Sequence, residues 1–250
     1  LDKDAASKKH ILIDPYEPGR PSTSNYKLLI SGITPRPIGF VSTRSGSDPK
    51  PSDDETYNLA PFSYFNVVSN DPPLFALGVT ISQARPKDTL RNLIANGECT
   101  VNIISDHFLE AANSTSMDVP PTCSEWTVSG LTPSHDVSSV STPRALEAVF
   151  AVECRVESIR EFESRVTPGR KSAALVILEV QRFWVREDAL NADRSSVSQE
   201  VLRPMSRLGG ISYGRTVEAV EIPRPVFERD LGVEGYEALE KKREEDKIKN

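Results

Sequence analysis

Four residues that could bind an anion fall within eight consecutive positions of the sequence: Ser82, Arg85, Lys87 and Thr89. They connect an apolar run that ends at Ile81 to a helical pattern that begins at Asp88. The start of a helix offers unpaired backbone N–H groups and the positive end of the helix dipole. Arg85 can donate two hydrogen bonds to phosphate oxygens, Lys87 adds a point charge, and the hydroxyls add donors. The spacing therefore predicts a phosphate-binding loop, with an ordinary solvent-exposed loop capped by Asp88 as the alternative.

A second segment that could contact a ligand is residues 58–66, Asn-Leu-Ala-Pro-Phe-Ser-Tyr-Phe-Asn. Pro61 disfavours a regular central strand, so we expect irregular backbone whose N–H and C=O groups can pair with a flat polar ligand. Phe62, Tyr64 and Phe65 could line a ring system. The alternative for this segment is an aromatic edge strand that packs into the core.

The sequence also excludes several kinds of site. Its three histidines, His10, His107 and His135, are widely separated and form no H-E-x-x-H motif, so no metal site is predicted. There is no G-x-S-x-G motif to suggest a serine nucleophile. There is also no G-x-x-x-x-G-K-[ST] or G-x-G-x-x-G motif, so a P-loop or a Rossmann fold has no support.

Composition limits the class of protein. The chain has 250 residues, of which 38% are hydrophobic and 26% charged, which is enough apolar matter for a sizeable core. The formal net charge of -6 argues against nucleic-acid binding through bulk charge. No apolar run approaches the roughly 20 residues of a membrane helix. Three widely spaced cysteines favour a reducing compartment, so we expect a cytoplasmic protein without nucleic-acid or membrane partners.

The elements that would position the candidate residues are mostly strands. Apolar or alternating runs predict strands over residues 37–43, 74–81, 99–104, 148–159 and 172–185. The last two are joined by a turn signal at residues 167–170, which predicts an antiparallel hairpin. Helices are predicted over residues 25–33, 88–96 and 233–250, with Asp88 as the N-cap and Gly97 just beyond the C-terminus of the second. This pattern predicts a mainly β fold with flanking helices, in which the strands form a barrel.

Four motifs follow one another in a characteristic order, over residues 36–43, 58–65, 71–73 and 85–92. This series resembles the flavin reductase-like family of FMN-binding split barrels, in its flavoredoxin-like branch. The resemblance covers residues 26–102 and resumes more loosely over residues 148–185 and 207–213. No motif is specific by itself, but four in order at compatible spacing are.

The resemblance implies a split β-barrel that binds FMN, and it assigns roles to ten positions. The polar edge or the ribityl chain of the flavin would lie against Ser42 and Thr43. The isoalloxazine ring would be held, largely through main-chain groups, by Asn58, Ala60, Phe62 and Ser63. The phosphate would be bound by Ser82, Arg85, Lys87 and Thr89, the cluster that the spacing had already indicated.

The resemblance also implies an FMN-dependent oxidoreductase, most simply one that reduces flavin with NADH or NADPH and hands the reduced flavin onward. Free-standing reductases of the family often carry a histidine near the C-terminal Gly-Tyr motif, and residues 207–214 lack one. Two alternatives stay open: an enzyme that keeps FMN bound and acts on its own small organic substrate, and a non-catalytic electron carrier. No catalytic residue is assigned; Arg207, Tyr213 and His135 are candidates for an acid or a base.

A homodimer is expected because, in the family, the second subunit closes the flavin site. Residues 172–185 are apolar at more positions than one half-buried sheet face requires, which favours a partner surface. The expected organisation is an extended arm over residues 1–24, the FMN-binding split-barrel domain over 25–230 and a charged helix over 231–250. Two polar segments, residues 45–56 and 114–142, exceed the minimal fold, and either could cover the flavin or shape a substrate pocket.

Overall fold

The computed structural model describes residues 7–47, 56–82, 86–120 and 122–248. The chain divides into two compact units, Leu1–Thr216 and Val217–Asn250. The first unit contains the sheets, and the second contains two helices. Within the described ranges, none of the helices combines the length and the apolar character that crossing a membrane requires.

The strands, in chain order, are β1 (Gly39–Arg44), β2 (Tyr57–Phe62), β3 (Phe65–Asn70), β4 (Pro73–Thr80), β5 (Glu98–Ile103), β6 (Pro133–Ser134), β7 (Arg144–Ala145), β8 (Phe150–Glu163), β9 (Lys171–Val185), β10 (Met205–Arg207) and β11 (Tyr213–Arg215). The α-helices are α1 (Ser22–Gly32), α2 (Asp88–Asn96), α3 (Leu109–Ser114), α4 (Glu125–Ser129), α5 (Gln199–Leu202), α6 (Phe227–Asp230) and α7 (Gly232–Ile248). Short 3-10 helices cover Asp106–Phe108 and Glu187–Ala189. The elements confirm the predicted mainly β architecture.

Seven strands form one antiparallel sheet in the order β2-β1-β5-β8-β9-β4-β3. The two edge strands, β2 and β3, follow each other in the chain and are joined by Ser63 and Tyr64. The sheet must therefore curl until its edges approach each other at this joint. Packing around this joint is close: a Cβ added to Gly39 of β1 would lie 2.9 Å from the ring of Phe65, and one on Gly78 of β4 would lie 2.9 Å from the Cβ of Tyr64. A side chain at either position would force the neighbouring aromatic residue to move.

The predicted hairpin is confirmed by the pairing of β8 with β9. The core of the barrel lies between this hairpin and the other strands, and α2 packs on it through Leu90 and Leu93, both almost fully buried. Burial of a leucine side chain stabilises the folded state by about 1.5–3 kcal/mol. The apolar face of α2 therefore holds the start of that helix in a defined place against the barrel.

Two local predictions differ from the structure. Asp88 is the first residue of α2 and not its N-cap; Lys87 is the cap residue, and its side chain makes no capping hydrogen bond. Asp88 instead pairs with Arg91, at 2.6 Å between carboxylate and guanidinium, one turn along the helix. The C-terminus agrees with the prediction, because Gly97 adopts the left-handed conformation with φ 71°.

The other difference concerns residues 58–66, where irregular backbone was expected. Most of this segment is regular: residues up to Phe62 belong to β2 and those from Phe65 to β3. Pro61 fits because β2 is an edge strand, where proline removes no hydrogen bond from a central ladder. Of the three aromatic residues, Phe65 is buried and Tyr64 is exposed, so the alternative of an aromatic edge strand describes the segment better.

Two buried carboxylates tie residues 138–142 to the barrel. Glu98 accepts the backbone N–H of Ser141 at 3.1 Å and pairs with the buried Arg44 at 3.1 Å. Glu153 accepts the N–H groups of Ser138 and Ser139 together with the indole N–H of Trp184. Burial alone would raise the pKa of Glu153, but these donors outweigh it and lower the pKa. The end of the polar segment of residues 114–142 is therefore bound to the barrel by the carboxylates of Glu98 and Glu153.

Candidate functional site

A cavity of about 350 Å³ opens where β2 meets the start of α2. Six of the ten residues chosen from the sequence line it together: Asn58, Ala60, Phe62, Ser82, Lys87 and Thr89. They come from three separate stretches of chain, namely β2, the second residue after β4, and the cap and first turn of α2. The cavity therefore joins one side of an edge strand to the positive end of a nine-residue helix.

The start of α2 is held against the strands by two buried side-chain hydrogen bonds. The amide of Asn58 donates to the hydroxyl oxygen of Thr89 at 3.0 Å. The amide of Asn92 donates to the hydroxyl oxygen of Thr43 at 3.1 Å. Because the Thr89 oxygen accepts from Asn58, the hydrogen of the same hydroxyl is left to donate elsewhere. The structure thus orients one donor at the helix start.

Lys87 places a positive charge at the mouth of this cavity. Its ammonium lies 6.0 Å from the centroid of the Phe62 ring, at the outer limit of a cation–π contact. The residue is exposed, which leaves the ammonium accessible to a ligand. The nearby carboxylate of Asp88 is paired with Arg91, so its charge is partly neutralised. The helix dipole and Lys87 together favour a ligand with an anionic end.

The other four residues chosen from the sequence have different positions. Ser42 and Thr43 are fully buried in β1 and do not line the cavity; Thr43 instead supports α2 through Asn92. Ser63 lines a smaller neighbouring cavity and accepts a long hydrogen bond of 3.4 Å from the guanidinium of Arg36. Arg85 lies outside the residues that the structure describes.

Part of the cavity wall was not assigned from the sequence. It comes from the residues that follow α3 and from the first residue of α4: Thr115, Ser116, Met117, Asp118 and Glu125. All five belong to the polar segment of residues 114–142, which was expected to cover a ligand or shape a pocket. Its composition indicated a loop but gave no sign of which side chains would reach the cavity.

Glu125 and its neighbour Ser124 complete the outer edge of β2. The carboxylate of Glu125, which is 6% exposed, accepts the backbone N–H of Leu59 at 3.1 Å. The hydroxyl of Ser124 donates to the carbonyl of Tyr57. Two side chains therefore take the place of a neighbouring strand for the N–H of Leu59 and the carbonyl of Tyr57. They also fix the strand that carries Asn58 and Ala60.

The candidates for an acid or a base are divided between two places. Arg207 and Tyr213 line the smaller cavity, of about 170 Å³, which shares Pro61 and Ser116 with the larger one. His135 packs edge-on against the ring of Tyr57, with centroids 5.2 Å apart, and is not among the residues that line either cavity. In the described ranges, no group of histidine, cysteine or acidic residues could hold a metal ion.

The chain is similar to several known proteins. The sequence model described as "Flavin reductase like domain" matches residues 31–200. The crystal structure of nitrilotriacetate monooxygenase component B from Bacillus cereus is 33% identical, with a TM-score of 0.77, covering 86% of this chain and 100% of that one. The 2-nitrobenzoate 2-nitroreductase NbaA of Pseudomonas fluorescens is 27% identical, with a TM-score of 0.71, covering 88% and 98%.

A more distant similarity concerns the fold alone. A protein with a split barrel domain from Shewanella frigidimarina NCIMB 400 is 16% identical, with a TM-score of 0.69, covering 87% of this chain and 100% of that one. The curled seven-stranded sheet is therefore a split barrel, as predicted.

Proposed function

The chain belongs to the flavin reductase-like family, and we propose that it is an oxidoreductase that binds FMN and reduces flavin with NADH or NADPH. The observation that carries this proposal is the cavity in which the side of β2 meets the start of α2. Its volume of about 350 Å³ lies within the range of about 300–1,000 Å³ that is usual for ligand sites.

The donor set fits FMN at both ends. Ser82, Lys87 and Thr89 would bind the terminal phosphate, with the first N–H groups of α2 as further donors. Arg85, close by in the sequence, is proposed to join them. The ring would lie along Asn58, Ala60 and Phe62, with Ser63 at the neighbouring cavity. Ser42 and Thr43, which are buried, would support the site from within the sheet.

The chain itself supplies binding and orientation. When bound, FMN supplies the redox chemistry through its ring. Asn58 holds the Thr89 hydroxyl in place, Lys87 offsets the negative charge of the phosphate, and Phe62 excludes water from one side of the cavity. Glu125 keeps β2 in register with these groups because it accepts the N–H of Leu59.

The electron donor is tested by turnover. With FMN present and dioxygen as the acceptor, we expect the protein to oxidise NADH or NADPH steadily. An absorbance spectrum of the purified protein, recorded first, shows whether flavin is bound. If flavin is visibly bound and neither nucleotide bleaches it, reduction by NAD(P)H is wrong.

The similarity to NbaA favours a second candidate, an enzyme that keeps FMN bound and acts on its own organic substrate. The similarity to a monooxygenase component favours the first, in which reduced flavin is handed to another protein. Nucleotide oxidation that rises with added free FMN supports the reductase. Oxidation that is independent of free FMN but needs an organic acceptor supports the second candidate.

We also propose that the protein is a homodimer. An apolar groove of about 530 Å³ lies at one end of the barrel, and its walls include Phe65, Val67, Phe75, Ile103, Phe150 and Phe183. Val67 is 64% exposed and Phe183 is 58% exposed. Along β9, Ala174, Val176 and Leu178 are buried, while Ala173, Leu175 and Ile177 on the alternate positions are only half-buried. Exposed apolar surface of this extent supports an interface with a second copy.

Light scattering on the flavin-bound protein tests the dimer. We expect twice the chain mass of 27.6 kDa. Leu175→Lys should shift the mass towards one chain, because the added charge would be buried in the interface. Val166→Lys, at a 76% exposed position in the hairpin turn, is the matched control and should stay dimeric. A wild-type mass of one chain with FMN still bound would contradict the proposal.

A further inference from the structure

The smaller cavity has its own chemical character. Its walls include Pro61, Ser63, Asn113, Ser116, Arg207 and Tyr213. None of the described residues that line it is acidic, whereas the larger cavity is lined by Asp88, Asp118 and Glu125. A concave site with a guanidinium, three hydroxyls and an amide, and no carboxylate in its described wall, favours a negatively charged ligand.

The guanidinium of Arg207 is held in a fixed place. Its backbone exchanges two hydrogen bonds with Arg36, at 3.0 and 2.9 Å, next to the start of β1. Its side chain stacks on the ring of Tyr213, at 4.4 Å from the centroid, and donates to the carbonyls of Gly210 and Ile211. Those bonds use only part of the N–H donors that a guanidinium carries. A rigid guanidinium loses little conformational entropy when it binds an anion.

The surrounding polar groups are also oriented as donors. The hydroxyl of Tyr213 donates to the amide oxygen of Asn113 at 2.8 Å, which leaves the amide N–H groups of Asn113 to donate. Ser63 accepts from Arg36, so its own hydrogen is left to donate. Arg36 is buried and brings a second positive charge close behind Ser63. The site thus presents several hydrogen-bond donors and few hydrogen-bond acceptors.

The smaller cavity lies directly beside the larger one. Pro61 and Ser116 line both cavities, so a ligand in one borders on a ligand in the other. The volume of about 170 Å³ is below the usual range of about 300–1,000 Å³ for a complete ligand site. The smaller cavity can therefore hold one small group of a ligand whose remainder lies outside it. This inference rests on the proposed function, because it takes the larger cavity to hold the flavin, and it extends the second candidate, an enzyme that acts on its own organic substrate.

We infer that the smaller cavity is an acid-binding subsite, which takes the carboxylate of a small organic acid on Arg207, with Asn113 and Ser63 as further donors. The remainder of the acid lies towards the larger cavity. The structure thereby assigns the substrate class of the site as organic carboxylates rather than neutral molecules, with Arg207 and Asn113 as the residues that determine this specificity.

Calorimetric titration of the FMN-loaded protein, in a buffer of low anion content, tests the subsite with benzoate and acetate and with their neutral amides. We expect at least one acid to bind with a Kd below about 10 mM and its amide to bind about 10-fold more weakly or not at all. Arg207→Gln should weaken binding of the acid by about 10- to 100-fold and leave binding of the amide unchanged.

The matched control is Arg215→Gln, which removes an exposed arginine from the adjacent strand β11 and should leave the Kd unchanged. Asn113→Ala, at an exposed position, is a second variant in case Arg207→Gln does not fold. Each variant is first checked for bound flavin by absorbance, so loss of flavin, which would count against the larger site, is distinguished from loss of acid binding. Failure of both acids to bind, equal binding of acid and amide, or equal binding by wild type and Arg207→Gln would overturn the subsite.

Discussion

Replacement of Lys87 by alanine is expected to weaken FMN binding by about 10- to 100-fold and to leave riboflavin binding unchanged. The reason is that the ammonium lies at the start of α2, beside Phe62, where the phosphate of FMN would lie and where riboflavin has no charge. A charge-assisted hydrogen bond contributes about 1.5–3 kcal/mol, which corresponds to this range. The side chain of Lys87 makes no capping bond, so its removal should not disturb the helix.

The measurement is a pair of titrations, with FMN and with riboflavin, on wild type and variants. Lys87→Arg keeps the charge and should retain most of the preference for FMN. Lys171→Ala removes an exposed lysine from β9, away from the cavity wall, and should bind like wild type. Adding Arg85→Ala to Lys87→Ala should weaken FMN further if Arg85, assigned from the sequence, also binds phosphate. An unchanged ratio of FMN to riboflavin affinity in Lys87→Ala would refute the phosphate assignment.

Glu98→Ala is expected to lower the free energy of unfolding by about 3–5 kcal/mol. Glu98 is 7% exposed and pairs with Arg44, which is 1% exposed, so its removal leaves a buried guanidinium without its carboxylate. The same carboxylate accepts the N–H and the hydroxyl of Ser141, and these bonds are lost as well. Loss of one partner from a buried pair costs more than loss of the whole pair, because the remaining buried charge keeps its desolvation penalty and loses an opposite charge that offset it.

Urea denaturation measures this effect, and two further variants isolate its cause. In the double variant Arg44→Met with Glu98→Met both charges of the pair are removed together, so we expect it to be more stable than Glu98→Ala. Glu163→Ala removes the acid of an exposed pair with Lys171 and should cost less than about 1 kcal/mol. If Glu98→Ala is no less stable than Glu163→Ala, the buried pair does not stabilise the fold as argued.

The family and the general fold could be read from the chain without coordinates. An alternating pattern located β8, a long apolar run located β9, and the turn signal between them located the hairpin, because these patterns depend on neighbours along the chain. Helix α2 ended at Gly97 as expected, since a left-handed C-terminal residue is a local requirement. The order of four motifs indicated the flavin reductase-like family, which the match over residues 31–200 confirms.

The exact first residue of α2 differs from the prediction, although the signal for it also comes from neighbouring residues. Asp88 was expected to cap the helix, but the structure places it one residue inside, where it pairs with Arg91. An aspartate near a helix start satisfies both arrangements, so residue type alone does not distinguish them. Pro61 disfavours a regular central strand, which led us to expect irregular backbone, but an edge strand accommodates proline. That β2 lies at an edge depends on the pairing of the whole sheet.

What the sequence determined by itself is the set of residue types that could bind FMN, including the cluster at the start of α2. What only the tertiary structure decided is which of those residues face the same space. Asn58 contacts Thr89 across 31 positions, and Glu125 reaches Leu59 across 66. Arg36 donates to the carbonyl of Leu208 across 172 positions, which brings the Arg207 segment to the cavity. Such contacts follow from strand register and from the closure of the sheet. Register and closure leave no periodic signal in the sequence, because packing, and not proximity along the chain, determines which residues meet.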